Sequence, residues 1–390
     1  MQAFYLHPDL IQIHLKSFNL DLKEAELFEK KAICRLIMLH DIPVSILPLL
    51  NKASKAYNLE LLLSGKNCEL ADRFDAIIAA AQQDLVKLSE VLIDNQDEAA
   101  RLGHIIRQEL KRPLAKKSAE LKLGDTSLPL GKRTLIMGIL NVTPDSFSDG
   151  GRFEQLDKAL AQAFTMAEEG ADIIDVGGES TRPGHKQITA EEELSRVMPV
   201  INALKKDSSF KLPLSIDTYK ADLAEQALDA GVEMLNDIWG LKADQKLGQI
   251  AASYGVPICL MHNRSNPVYK DLISEMVVDL RESIDLALRA GIKEKQIIID
   301  PGIGFGKDVQ QNLDVMLHLR EFCSLGYPLL LGTSRKSMIG KTLDLPVEER
   351  LEGTAATVAY GISAGADIIR VHDVLAMRKT ACMTDAMVRR

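Results

Sequence analysis

From Thr134 onward the chain repeats one pattern, an apolar run of four to seven residues followed by a longer amphipathic stretch. The runs are 134–140, 172–176, 212–216, 233–236, 256–261, 296–299, 328–331 and 367–371. Helical periodicity fills the gaps, as at 156–169, 190–205, 220–230 and 276–290. Short buried strands alternating with helices predict an α/β fold with a parallel sheet. Eight such units in roughly 250 residues match a closed (β/α)8 barrel, the TIM-barrel architecture. An open doubly wound sheet would need a Gly-rich turn after its first strand, and the first run is followed by Asn141-Val142-Thr143-Pro144 instead. Gly170, Gly231, Gly255, Gly291 and Gly365 stand where helices end and strands begin. That is the C-cap use of glycine, which assigns them to the structural floor of the barrel.

Before Thr134 the pattern differs. Residues 22–40 carry apolar positions at helical spacing (Leu27, Ile33, Leu36, Ile37), and residues 74–93 do the same. Residues 59–63 form one short apolar run compatible with a strand, so residues 1–112 are expected to be a mostly helical region of unknown role. Arg112-Pro113 ends the helical pattern, because proline disfavours helix in the residue before it. A linker is expected over 113–118 and the barrel domain over 119–390. Within that domain, 120–123 and 126–130 flank Gly124-Asp125 and predict a small hairpin.

Polar residues gather at the ends of the predicted strands. The eight runs lead into NVTPDSFSDGG (141–151), GGESTRPG (177–184), Asp217-Thr218, Asn236-Asp237, Met261-His262-Asn263, DPGIGFGK (300–307), GTSRKS (332–337) and Arg370-Val371-His372-Asp373. Any one of them suits a helix cap. All eight together suit a catalytic face, because this fold places its chemistry at the C-terminal ends of its strands. Asp217 and Asp300 follow apolar strands and need hydrogen-bond donors in a dry pocket, which an N–H-rich heterocycle supplies. Lys336, Arg370 and His372 come from the strands where this fold often binds phosphate, and Arg182 offers a second cation. His262 and His185 are read as surface or hydrogen-bonded histidines rather than catalytic ones.

Composition narrows the partners. The net charge of −8, a single Trp and an aromatic share of 5% argue against a nucleic-acid surface. The five cysteines show no CxxC spacing and read as reduced thiols of a cytoplasmic protein. No apolar run approaches the ~18 residues of a membrane span.

The segments at 141–151, 177–184, 300–307 and 332–337 resemble the signatures of the dihydropteroate synthases. These folate-pathway transferases join 4-aminobenzoate to a hydroxymethyl-dihydropterin diphosphate. The resemblance covers about 119–390 and involves every strand end. It implies that Asp217, Asn236, Asp300 and Lys336 hold the pterin, with Met261 packing near the ring. It implies that Asn141, Arg370 and His372 contact the diphosphate, Asn141 also near a Mg²⁺. Thr181, Arg182, Phe305 and Ser337 would shape the aminobenzoate site, and Asp149 would belong to a mobile first loop. The implied catalytic set is Asp149, Asp217, Lys336, Arg370 and His372, acting through a dissociative, carbocation-like substitution. The resemblance also implies a homodimer and places the protein in a class of sulfonamide targets.

Two other readings share parts of this pattern. The pterin-binding domain of corrinoid-dependent methyltransferases uses the same barrel but has no use for a diphosphate grip, so TSRKS and Arg370-Val371-His372 favour the synthase. A non-catalytic pterin-binding scaffold would have no need of the diphosphate residues, and they are present. A pyrophosphokinase in the N-terminal region would need a phosphate loop or paired aspartates, and neither occurs there.

Overall fold

The computed structural model describes residues 34–63, 72–111, 120–143, 152–179 and 187–389. The chain divides into two compact units, Met1–Pro113 and Leu114–Arg390. The residues expected to form the linker lie outside the described residues.

The first unit corrects part of the sequence reading. Strand β1 (Cys34–Pro43) occupies a segment expected to be helical. Helix α1 (Leu47–Tyr57) and strand β2 (Glu60–Leu63) follow, the latter where the short apolar run predicts a strand. Residues 74–93, expected as one helix, split into strand β3 (Arg73–Ala81) and helix α2 (Gln82–Ile93), and α3 (Asp97–Lys111) completes the unit. The three strands form an antiparallel sheet in the order β1-β3-β2. The cause of the misreading is visible in the burial. On β3, Phe74, Ala76, Ile78 and Ala80 alternate inward, whereas on α2 the buried residues Leu85, Leu88 and Leu92 recur at helical spacing. A window spanning both averages the two periods. On β1, exposed Leu36 and Met38 put apolar residues on the outer face and hide the alternation. Helix still makes up the larger share of regular structure among the described residues of this unit.

The second unit opens with a hairpin of β4 (Glu120–Leu123) and β5 (Thr126–Pro129). Eight parallel strands follow: β6 (Leu135–Asn141), β7 (Ile173–Gly177), β8 (Leu214–Asp217), β9 (Met234–Asp237), β10 (Ile258–Met261), β11 (Ile297–Asp300), β12 (Leu330–Leu331) and β13 (Ile368–Val371). They pair in the order β11-β10-β9-β8-β7-β6-β13-β12, and a bridge between Ile299 and Leu329 closes the ring. The helices between them are α4 (Arg152–Glu169), α5 (Ala190–Lys206), α6 (Ala221–Asp229), α7 (Lys246–Tyr254), α8 (Leu272–Arg289), α9 (Val309–Leu317), α10 (Leu319–Cys323), α11 (Ser337–Leu343), α12 (Leu351–Ala364) and α13 (Val374–Val388). This is the (β/α)8 barrel that the alternation predicts. Gly365 ends α12 at φ 113°, a left-handed turn that the expected C-cap role requires.

Strand side chains alternate between two layers. Ile136, Leu140, Ile174, Val176, Leu214, Ile216, Leu235, Leu260, Ile299 and Ile369 face the helices and belong to the outer core. Leu135, Met137, Ile173, Met234, Cys259, Ile298, Leu330 and Ile368 face the lumen, where Leu121, Leu123, Leu128 and Leu130 of the hairpin pack on them. These lumen residues sit at the N-terminal halves of their strands, so the hairpin stoppers that mouth and leaves the opposite one for chemistry.

Candidate active site

Continuing the lumen-facing parity toward the C-terminal ends replaces the apolar layer with polar residues. Asn141, Asp175, Gly177, Asp217, Asn236, Met261, Asp300, Arg370 and His372 each stand two or four residues beyond a lumen-facing position on their own strand. Most of the candidates therefore converge because the pleat has a period of two.

Their contacts form one network. Arg370 donates from Nε to Asp175 Oδ2 at 2.6 Å and from Nη2 to Asp217 Oδ2 at 2.7 Å. Asn236 Nδ2 donates to the same Asp175 oxygen at 2.9 Å. Asp300 Oδ1 accepts from the Gly302 amide at 2.7 Å. Gly302 has φ +67°, and a Cβ there would lie 2.1 Å from the His262 carbonyl oxygen, so only glycine makes this turn. A Cβ on Gly177 would fall 3.6 Å from Asn141 Oδ1 and 3.7 Å from Asp217 Oδ2, so its missing side chain keeps the space between them open.

Burial dominates the electrostatics. It lifts the Asp217 carboxyl to about 7, with Arg370 pulling down and Asp175 pushing further up. It lifts Asp300 to about 6 against the Gly302 amide and the Lys336 charge. It lowers Lys336 to about 8, helped by Arg370 and opposed by Asp300 and Asp217. Lys336 sits over the Phe305 ring. His372 falls to about 4 through burial and the positive charge of Arg370 and Arg335. Burial thus leaves the ring uncharged at neutral pH. Ser334 holds the ring in place: the His372 amide donates to Ser334 Oγ at 3.2 Å, and that hydroxyl lies 2.9 Å from Nδ1.

Among the other candidates, Met261 is buried and Phe305 half-buried, while Ser337 is exposed in the first turn of α11. Asp149, Thr181 and Arg182 lie outside the described residues, as does His185. On the near flanks of 180–186, Lys220 Nζ bonds Glu179 at 2.6 Å, the Ile188 carbonyl at 2.8 Å and buried Glu193 at 2.7 Å.

Some strand-end residues are structural. Asp237 accepts the amides of Trp239 and Leu241 at 2.8 and 2.6 Å, which is turn capping. His262 is buried between Asp279 (3.0 Å) and Lys307 (3.2 Å), as its reading as a hydrogen-bonded histidine expects. Asp175 and Ser334 escaped the sequence reading. Asp175 lies one turn of the pleat below the strand end, inside the apolar run Ile173-Ile174-Asp175-Val176, where only the strands' last residues were weighed. A lone carboxylate at lumen parity in such a run was the available signal. Among the described residues, no group of three or more His, Cys, Asp or Glu side chains is placed to hold a metal ion.

Residues 137–372 match the family described as pterin binding enzyme. The dihydropteroate synthase of Clostridium beijerinckii is 57% identical over 271 residues, which is 69% of this chain and 100% of the relative. A crystal structure of the Clostridium difficile dihydropteroate synthase in the presence of pteroic acid is 53% identical with a TM-score of 0.66, covering 67% of this chain and 100% of that one. The Xanthomonas albilineans enzyme, solved with 4-aminobenzoic acid, is 41% identical with a TM-score of 0.66 over 70% of this chain and 98% of its own. The family match falls on the barrel whose lumen carries the candidate residues, and the chain belongs to the dihydropteroate synthase family of pterin-binding enzymes.

Proposed function

We propose that the barrel condenses 4-aminobenzoate with (7,8-dihydropterin-6-yl)methyl diphosphate, giving 7,8-dihydropteroate and diphosphate in folate biosynthesis. One observation carries this reading at the level of the residues: Asp217, Asn236 and Asp300 end three different strands in one buried lumen, and Lys336, at the N-cap of α11, sets its charge against the two carboxylates. A pterin offers ring N–H and amino donors to Asp217, Asp300 and the Asn236 carbonyl oxygen, and ring acceptors to Lys336. Met261 packs beside the ring.

The reaction forms a C–N bond from the arylamine lone pair and breaks the methylene C–O bond, whose electron pair leaves with diphosphate. The amine gives up one proton. No protein nucleophile is needed, because the amine is the nucleophile. The anionic Asp217 and Asp300 stabilise positive charge developing on the pterin as the C–O bond stretches, which favours a dissociative path. Arg370 and His372 face the departing diphosphate, a preorganised electrostatic contribution. Phe305 and Ser337 flank the aminobenzoate, together with Thr181 and Arg182, and Asp149 acts from the first loop.

A Mg²⁺ fits the donor set. This ion is held through one or two protein oxygens plus substrate phosphates, and Asn141 Oδ1 borders the space left open by Gly177. Bound there with the diphosphate, it supplies charge neutralisation to the leaving group. We also place the enzyme in the cytoplasm, where the cysteine thiols stay reduced, and as a homodimer built on the outer faces of α12 and α13.

The test is direct. Purified protein supplied with Mg²⁺, the pterin diphosphate and 4-aminobenzoate should release diphosphate and dihydropteroate in equal amounts. Diphosphate release without a pteroate product, or neither, overturns the reading.

A further inference from the structure

We infer that Asp175 is a positioning residue of this site, one that sets which atoms of Asn236 and Arg370 face the substrate. The inference rests on the function proposed above and extends it below the layer that touches the pterin.

Asp175 is fully buried in β7, one lumen position above Ile173 and one below Gly177. It therefore lies between the apolar plug and the pocket. Its Oδ2 accepts two hydrogen bonds at once, from Arg370 Nε and from Asn236 Nδ2. Each has a directional consequence. A carboxylate accepts only, so Asn236 must turn its NH2 toward Asp175 and its carbonyl oxygen away from it. The pterin pocket then receives an acceptor from Asn236, in keeping with the acceptors of Asp217 and Asp300. Without Asp175 the amide is free to flip and present a donor to a ring edge that is itself a donor. For Arg370, the Nε bond to Asp175 and the Nη2 bond to Asp217 fix the guanidinium plane from two strands, leaving Nη1 outside both pairs. Asp175 thus prevents Asp217 from being the guanidinium's sole carboxylate partner.

The neighbouring position supplies a control. Ser215 on β8 stands directly opposite Asp175 in register and is equally buried, yet bonds neither Asn236 nor Arg370. Replacing it disturbs the same lumen layer without touching the two bonds.

Steady-state kinetics of the full chain would decide it. Asp175→Ala should raise the KM for the pterin diphosphate at least about tenfold, the worth of one hydrogen bond to a charged group, and lower kcat. The KM for 4-aminobenzoate should stay as in the wild type, and Ser215→Ala should leave both KM values unchanged. A purely structural role for Asp175 would lower thermal stability and the active fraction while leaving both KM values in place, and would overturn the assignment. So would equal rises in Asp175→Ala and Ser215→Ala. Should Asp175→Ala fail to fold, the pair Asp175→Ala with Arg370→Gln removes both buried charges together. Measured against Arg370→Gln alone, it should still show a raised pterin KM through Asn236, and no rise overturns the inference. A wild-type protein with no turnover would instead sink the proposed function itself.

Discussion

Lys336 holds its ammonium 4.1 Å from the centroid of the Phe305 ring, at the mouth of a lumen that also contains Asp300. The ring face and the carboxylate favour the charged amine, and burial opposes them and wins, leaving the group at about 8. On the acid side, burial leaves Asp300 at about 6 and Asp217 at about 7. The carboxylates must be ionised and the amine protonated to hold the pterin. Hence kcat/KM for the pterin diphosphate should fall as pH drops below about 7 and again as it rises above about 8. Lys336→Met should abolish the alkaline limb and lower kcat/KM at least about tenfold. An alkaline limb that survives in this variant would remove Lys336 from the site.

Asp300→Asn should trade function for stability. The folded carboxyl sits at about 6, raised above its ordinary 3.8 by burial. Between those values the native state binds more protons than the unfolded chain, so this group's contribution to stability declines as pH rises through the window. At neutral pH the ionised form is therefore a cost, at about 1.4 kcal/mol per pKa unit. Asparagine keeps an acceptor for the Gly302 amide and removes the charge. The melting temperature at pH 7.5 should rise by about 3–8 °C while calorimetry shows pterin affinity falling at least about tenfold. Unchanged affinity would dismiss Asp300 as the pterin anchor.

Most of the barrel was legible because its strands are buried on both faces and its helices on one, two signals that differ in period. Residues 172–176 and 190–205 illustrate this: strand and helix lie within a residue or two of the positions the pattern predicts. The first unit was less legible. A nine-residue strand runs straight into a helix at Ala81-Gln82 with no glycine or proline between, so nothing in the sequence punctuates the change of period. The site shows the same division. Asp217 and Asp300 announce themselves by ending apolar strands. Asp175 is disguised inside one, and the charge state of His372 depends on its burial and on Arg370 and Arg335, which only the closed barrel brings about.

His262 should be a stability residue. Burial lowers its pKa to about 4, so it is neutral at physiological pH and joins Asp279 on one side to Lys307 on the other. Its contribution to stability is lost as pH falls from its unfolded value toward about 4. His262→Ala should cost about 2–3 kcal/mol of unfolding free energy in urea, through a cavity and an unpaired Lys307. The KM for the pterin diphosphate should not change. A KM shift exceeding the stability loss would move His262 into the binding machinery.

A chain beginning at Leu114 should retain the transferase activity. The family match, residues 137–372, falls within the second unit, and every candidate side chain lies in that unit. Coupled diphosphate release by this shortened chain should match the full chain in kcat. A folded but inactive product would mean that the first unit contributes to the site or to the active oligomer.

The proposed dimer should be separable from the chemistry. Helices α12 and α13 pack against each other, and both turn apolar residues outward. Tyr360 is 46% exposed on the first, and Leu375, Met383 and Met387 are 46%, 62% and 54% exposed on the second. In α12 the sequence TAATVAYGISA offers no charged residue to turn toward water. Apolar surface gathered on adjacent helices marks an association site more often than an idle face. A twofold interface repeats the same patch on both subunits, so one charge introduced there appears twice. Sedimentation should therefore show a dimer for the wild type, and Met383→Lys with Tyr360→Asp should shift it to a monomer. None of the lumen side chains lies on these outer faces, so the monomer should keep its KM for both substrates even if its melting temperature drops. A wild type that sediments as a monomer at micromolar concentration would sink the assignment.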